Sequence, residues 1–362
     1  MPFRDCVGHR RLIAVLARAV SRGTLPPSLL FSGPDGVGKR RIAVAIAQAL
    51  NCLNPRTGGA DARDGAVVDS RDSRDSQPAF EPELEPAFEL DACGACAACQ
   101  RIARGVHPDV LLIEPLDSGV IKVDQVRDAV ERAAYRPFEG RRRVVIVDDA
   151  DALMPQAQNA LLKTLEEPPA ASVFLLVSSR PDMLLPTVRS RCPQLRFRAL
   201  SDAEVARALV AGGATDAEAR AVAATADGSL GRALAASAGD LLDSRDTAAR
   251  VLLGVAASRD ARGRLEHAKD LLTKTKAGAG DREQLAQYLR AMASLLRDAA
   301  LLATGADASA LANPDVRQDL QRLSAFDGDR GVRAFGAVDR ALAALDRYAS
   351  PKIVADWLLL QL

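Results

Sequence analysis

Four groups of residues have types and spacings that suit chemistry. Gly33-Pro34-Asp35-Gly36-Val37-Gly38-Lys39 matches the glycine-rich loop whose backbone amides wrap a β-phosphate and whose lysine reaches the β/γ oxygens. Val144-Val145-Ile146-Val147-Asp148-Asp149 is an apolar strand ending in two acids. A strand, a Gly-rich loop and a helix, then a second strand ending in carboxylates, are the working parts of a nucleotide-binding fold. Cys93, Cys96 and Cys99 stand at two-residue gaps, and Cys52 ends the helix that follows the loop. Four thiolates make the closed tetrahedral shell of a structural Zn²⁺ site. The fourth group is Ser190-Arg191-Cys192, about twenty residues beyond the run Asn159-Ala160-Leu161-Leu162-Lys163-Thr164-Leu165-Glu166-Glu167-Pro168-Pro169.

The nucleotide machinery carries substitutions. After the loop lysine a Ser or Thr should supply a hydroxyl oxygen to Mg²⁺. This chain has Arg40, which offers a metal no acceptor and adds positive charge where the cation belongs. The second acid after the strand, where a glutamate would orient the attacking water, is the shorter Asp149.

The elements that position these groups are legible as patterns. Leu29-Leu30-Phe31, Val110 to Ile113, Val144 to Val147 and Val173 to Val177 are continuously apolar, as strands buried on both faces of a parallel sheet should be. Ile42, Ile46 and Leu50 recur at helical spacing over 39–51. The layout predicts a doubly wound α/β domain. Beyond about residue 200 the strand signal ends. Ser201-Asp202-Ala203-Glu204 and Thr215-Asp216-Ala217-Glu218 fit capping boxes, and an Ala/Leu/Arg-rich helical stretch follows. Ser350-Pro351 opens a last helix whose Ile353, Val354, Trp357, Leu358 and Leu360 suit either core or a subunit seam. His107 reads as a hydrogen-bonded turn residue, and Cys6 and Cys192 as buried small residues.

Composition sets limits. Lys+Arg 48 against Asp+Glu 47 argues against a surface that grips nucleic acid all round. The start, Met1-Pro2-Phe3-Arg4-Asp5, lacks the apolar core of a signal peptide, and no run is long enough to span a membrane, so a cytoplasmic protein is expected. Residues 54–92 carry ten acids against four arginines and are expected to be a disordered surface insertion. Such an excursion between Cys52 and Cys93 adds loop-closure entropy that grows only slowly with length, so four-thiol ligation survives it.

Taken together, the loop, the strand acids, the 159–169 run and Ser190-Arg191-Cys192 resemble the clamp-loader branch of the AAA+ ATPases, closely from residue 3 to about 200 apart from the 54–92 insertion, and weakly beyond 240. The resemblance implies an AAA+ domain over 1–200 with a zinc module at 52–99, a helical lid at 201–240 and a helical collar domain at 241–362. It supports all four cysteines as ligands, although it implies fewer residues than the 40 between Cys52 and Cys93. In active members the lid motif Gly228-Ser229-Leu230-Gly231-Arg232-Ala233-Leu234 carries an arginine where this chain has Gly231; Arg232 follows, about 100° round the helix.

Arg40, Asp149 and Gly231 together imply a clamp-loader subunit that does not hydrolyse ATP, its loop either a packed turn or a weak ATP site. The resemblance further implies that Arg191 is presented across a subunit boundary to a neighbour's ATP. The implied partners are motor ATPase subunits of gamma/tau type, a clamp-opening delta subunit and, through the assembly, the sliding clamp and primed DNA. The main alternative is a gamma/tau-type motor subunit, against which the three substitutions speak. A free-standing zinc-dependent nucleic-acid-binding protein fits poorly with the near-zero charge and 4% aromatic content.

Overall fold

The computed structural model describes residues 2–57, 89–116, 119–235, 238–258, 260–272, 279–305, 311, 313, 316–347 and 349–362. The chain divides into two compact units, Met1–Arg198 and Ala199–Leu362.

In the first unit β1 (Ser28–Ser32), β2 (Val110–Ile113), β3 (Arg143–Val147), β4 (Ser172–Ser178) and β5 (Gln194–Arg196) form one parallel sheet in the order β2-β3-β4-β1-β5. Alternate residues serve opposite faces, as the two-residue strand period requires. Leu29, Phe31, Val144, Ile146 and Leu175 join a core with α1 (Arg10–Ser21), α2 (Lys39–Asn51) and α3 (Ala97–Ala103). Leu30, Val145, Val147, Phe174 and Leu176 join a second core with α4 (Val123–Ala134) and α5 (Pro155–Glu166), beside the short α6 (Pro186–Arg189). Each such side chain, fully buried, contributes about 1.5–3 kcal/mol, which is why the strands read as unbroken apolar runs. The expected α/β sheet is therefore present. The phosphate loop leaves the end of β1, the paired acids the end of β3, and Ser178 the end of β4, so all converge on one edge, where ligands bind in open α/β sheets.

The second unit is all-helical among the described residues. It comprises α7 (Asp202–Ala211), α8 (Asp216–Thr225), α9 (Leu230–Ala235), α10 (Ala238–Ala257), α11 (Ala261–Glu266), α12 (Ala268–Leu271), α13 (Ala279–Ala303), α14 (Arg317–Arg322), α15 (Asp329–Asp346) and α16 (Pro351–Gln361). Both capping boxes form: the Glu204 amide donates to Ser201 Oγ at 3.3 Å and the Glu218 amide to Thr215 Oγ1 at 3.4 Å. Position 240 falls inside α10, so no break in secondary structure marks the expected lid boundary. The last helix serves two environments. Val354, Leu358 and Leu359 enter the core, while Ile353, Trp357 and Leu360 stay open to solvent, Trp357 beneath the Arg340 guanidinium.

The insertion expected over 54–92 needs correcting at its ends. Arg56 and Asp91 form an antiparallel bridge, each amide donating to the other's carbonyl at 2.8 Å. The chain thus leaves and re-enters at one pinned point. The rest of the segment, 58–88, lies outside the described residues. Among the described residues no helix is long and apolar enough to cross a membrane.

Candidate functional site

The Gly33–Lys39 loop runs from the end of β1 into α2. A Cβ on Gly33, at φ +148°, would sit 2.3 Å from the Phe197 carbonyl oxygen, so only glycine fits there. Gly36 and Gly38 also take positive φ, and Gly38 caps α2. His9, its ring edge-on to Phe197, donates from Nε2 to Val37 O at 3.1 Å and braces the loop from behind. Lys39 Nζ, however, donates to the loop's own carbonyls, Gly33 O at 2.8 Å and Pro34 O at 2.6 Å. Burial pulls its pKa down.

Arg40 fills the place where a metal hydroxyl ligand would stand. Its Nη1 pairs with Glu114 Oε1, at the end of β2, and with Asp148 Oδ2 at 3.0 Å. The first strand acid is thereby spoken for by an internal cation. Burial raises the Asp148 pKa, and Arg40 opposes that rise. Asp149 takes the left-handed conformation (φ 46°). Partial burial first, then the charges of Asp148, Asp35 and Asp151, raise its carboxyl to about 6, although one edge stays open to solvent. Two residues absent from the sequence reading shape this edge. Glu114 holds Arg40. Asp151, nearly buried, accepts from Ser178 Oγ at 2.9 Å, the Ser179 amide at 3.1 Å, and Arg180 Nε and Nη2 at 3.2 Å each. The acid spacing Asp148-Asp149-x-Asp151 was a signal for the latter; Glu114, at a strand end, offered none.

All four cysteines named from the sequence come together. Their Sγ atoms lie within 4.8 Å of one another, with Cys52–Cys96 and Cys93–Cys99 both at 4.0 Å. A tetrahedral ion with about 2.3 Å bonds to sulfur needs sulfurs about 3.8 Å apart, so the cluster is close to the size of a metal shell. The end of α2 delivers Cys52, and Cys96 and Cys99 stand at the start of α3. Gly94, at φ +78°, turns the chain between Cys93 and Cys96. The amides of Cys93 and Cys96 donate to Cys52 Sγ and Cys93 Sγ at 3.2 Å, the hydrogen bonds a thiolate favours. Burial opposes ionisation of Cys96, yet the amides of Cys99 and Leu53 bring its thiol down to about 6; burial pushes Cys52 and Cys99 up. Four such thiols in one shell could hold a metal ion. Cys192 is buried as expected, whereas Cys6 is only half-buried.

Arg191 stands at the turn between α6 and β5. Its Nη1 donates to Thr187 O at 2.8 Å and more weakly to Ser190 Oγ at 3.4 Å, and its Nη2 pairs with Glu166 Oε1. About a third of the side chain is open to solvent. In the second unit Arg232 turns back on its own loop, donating from Nη2 to Ala226 O at 2.8 Å and to Asp227 O at 3.4 Å. His107 is a turn residue, its Nδ1 accepting from the Asp109 amide at 3.1 Å.

A family model described as "DNA polymerase III, delta subunit" matches residues 8–83 and 83–201, more than half of the chain. The chain belongs to this family, and its parallel sheet carries the glycine-rich loop after β1 and the paired acids after β3. A segment of 166 residues is 39% identical to the DNA polymerase III subunit delta' of Pseudomonas aeruginosa, covering 46% of this chain and 41% of that protein. A segment of 198 residues is 33% identical to the DNA polymerase III subunit tau of Salmonella typhimurium, covering 55% of this chain and 26% of the other. The chain thus spans well under two thirds of these relatives. A solved DNA polymerase III gamma subunit-related protein from Thermotoga maritima aligns over 95% of this chain and 96% of its own, with 17% identity and a TM-score of 0.40.

Proposed function

We propose that this chain is a delta-prime-type subunit of the DNA polymerase III clamp loader that does not hydrolyse ATP and lends Arg191 to a neighbouring ATPase subunit. The ion pair of Arg40 with Asp148 carries the first half of this reading. A Mg²⁺ ion at the loop would need a hydroxyl at position 40 and a free carboxylate at 148. Here one is replaced by a cation and the other is bound to it. Lys39 is likewise engaged by loop carbonyls, which supports a loop kept as a packed turn. Gly231 leaves the lid without its arginine, and Arg232 is committed to its own loop.

An arginine delivered in trans stabilises charge on a transferring phosphoryl group, worth about 10³–10⁵ in rate in GTPases. Arg191 suits that task because its planar, permanently charged fork matches phosphate oxygens. Partners would be gamma/tau-type motor subunits and a delta-type subunit, and the assembly would open the sliding clamp and close it round primed DNA in the cytoplasm. Residues 201–240 would act as a lid and 241–362 as a collar, to which the exposed Ile353, Trp357 and Leu360 could contribute a seam. Zn²⁺ held by Cys52, Cys93, Cys96 and Cys99 would supply a closed structural shell.

The test is ATP hydrolysis by the purified chain beside an active motor subunit. No Mg²⁺-dependent turnover is expected. Turnover at the motor's rate, abolished by Lys39→Ala, would replace this reading with that of a gamma/tau-type motor.

A further inference from the structure

Arg191 is not a free surface side chain. One local and one distant group grip it: the carbonyl of Thr187, one turn earlier in α6, holds Nη1 at 2.8 Å, and the carboxylate of Glu166, at the end of α5, holds Nη2. Its Nε is buried without an acceptor among the described residues, so the η nitrogens make all of its hydrogen bonds. Glu166 is the last residue of α5, where the helix's partial negative charge disfavours a carboxylate. Glu167 follows it and adds a second negative charge. The guanidinium offsets the charge of this half-exposed carboxylate, and the carboxylate in turn fixes where the guanidinium stands.

We propose that Glu166 is the positioning residue for Arg191, holding the guanidinium in the place from which it reaches a neighbour's phosphate. This rests on the reading that Arg191 acts in trans. An unheld arginine samples many rotamers, and much of that freedom is lost when it engages phosphate oxygens. Anchoring Nη1 on a carbonyl and Nη2 on a carboxylate removes part of that loss before the neighbour docks. Donor capacity remains, because Nη2 has a second proton beyond the one given to Glu166, and the 3.4 Å contact of Nη1 with Ser190 Oγ is weak enough to exchange. Glu166 touches neither nucleotide nor metal in this scheme; it acts only through Arg191.

A double-mutant cycle in the reconstituted loader, read by single-turnover ATP hydrolysis, tests this. Glu166→Ala should slow the burst rate about three-fold, the size of one exposed ion pair, with KM for ATP unchanged. In an Arg191→Ala background the same substitution should do nothing more. Glu166→Gln should recover part of the rate, since its amide oxygen still accepts from Nη2. Equal slowing by Glu166→Ala in both backgrounds would mean a structural role and overturn the proposal. So would an unchanged or faster rate with Arg191 present, while Arg191→Ala still slows; the in-trans reading would then stand alone. An Arg191→Ala complex at full rate would overturn the in-trans reading, and this proposal with it.

Discussion

Replacing Cys96 by serine should cost the chain its metal and loosen a corner of the first unit. Sulfur pairs at 4.0 Å, against the roughly 3.8 Å edge of a zinc tetrahedron, mean that little movement is needed to ligate. Removing one thiolate leaves three ligands and opens a closed shell. What hangs on the shell is visible. Asp91, two residues before Cys93, accepts from the Phe3 amide at 2.7 Å and from Arg4 Nη1 at 3.0 Å, and Gln48 Nε2 donates to Cys99 O at 2.7 Å. The cluster therefore ties the N-terminal turn, the end of α2 and the start of α3 together. At free zinc 100-fold above Kd, a bound ion stabilises the folded state by about 2.7 kcal/mol. For a unit of this size that corresponds to a Tm change of about 5–10 °C. Elemental analysis should give one zinc per wild-type chain and well below one for Cys96→Ser, with Tm lowered by that amount. A chelator should lower the wild type towards the variant and leave the variant where it is. Zinc absent from the wild type, or retained by Cys96→Ser with an unchanged Tm, would refute the four-thiol shell.

Replacing 58–88 by a short linker should leave zinc content and Tm unchanged, because the Arg56–Asp91 bridge already closes the excursion; loss of zinc would show that the insertion shapes the site. Arg40→Thr alone should leave Mg²⁺-dependent turnover at background, since Asp149 and Gly231 remain; turnover appearing in a steady-state assay would make Arg40 the sole block. Asp109→Asn should be destabilising. Burial works against this carboxylate, yet the amides of Glu139, Phe138 and Gly140 and the Arg143 guanidinium hold its pKa at about 2. A folded pKa below the unfolded one gives stability that is present above about pH 4 and lost as pH falls towards 2. The substitution should therefore cost about 2 kcal/mol in urea unfolding at pH 7, and the gap to wild type should narrow as pH falls through that window. A gap independent of pH would contradict the ionised, hydrogen-bonded carboxylate.

The elements were legible where burial writes itself into composition. Strands buried on both faces had to be continuously apolar, and α2 showed its spacing from Ile42 to Leu50. The local motifs were legible too: the glycines of the loop, the Cys93-Cys96-Cys99 knuckle and the capping boxes at Ser201 and Thr215. Partners distant in sequence were not. Nothing near Arg40 points to Glu114, and nothing near Arg191 points to Glu166, because periodicity says which face a residue takes and not what lies opposite. Cys52 stands between these cases. Its 40-residue separation from Cys93 leaves ligation possible, since loop-closure entropy grows slowly with length, but only the fold shows the Arg56–Asp91 bridge that brings the two arms of the excursion together. The α16 helix could not be resolved from its apolar load alone, since both of its faces are apolar and only the fold decides which one is covered.

The central claim is that this chain's own loop is idle while its arginine works on a neighbour. The most direct measurement is single-turnover ATP hydrolysis by the assembled loader carrying either Lys39→Ala or Arg191→Ala in this subunit, with assembly checked by size. The account predicts wild-type burst amplitude and rate with Lys39→Ala, and loss of part of the burst with Arg191→Ala. A burst reduced by Lys39→Ala and untouched by Arg191→Ala would contradict it.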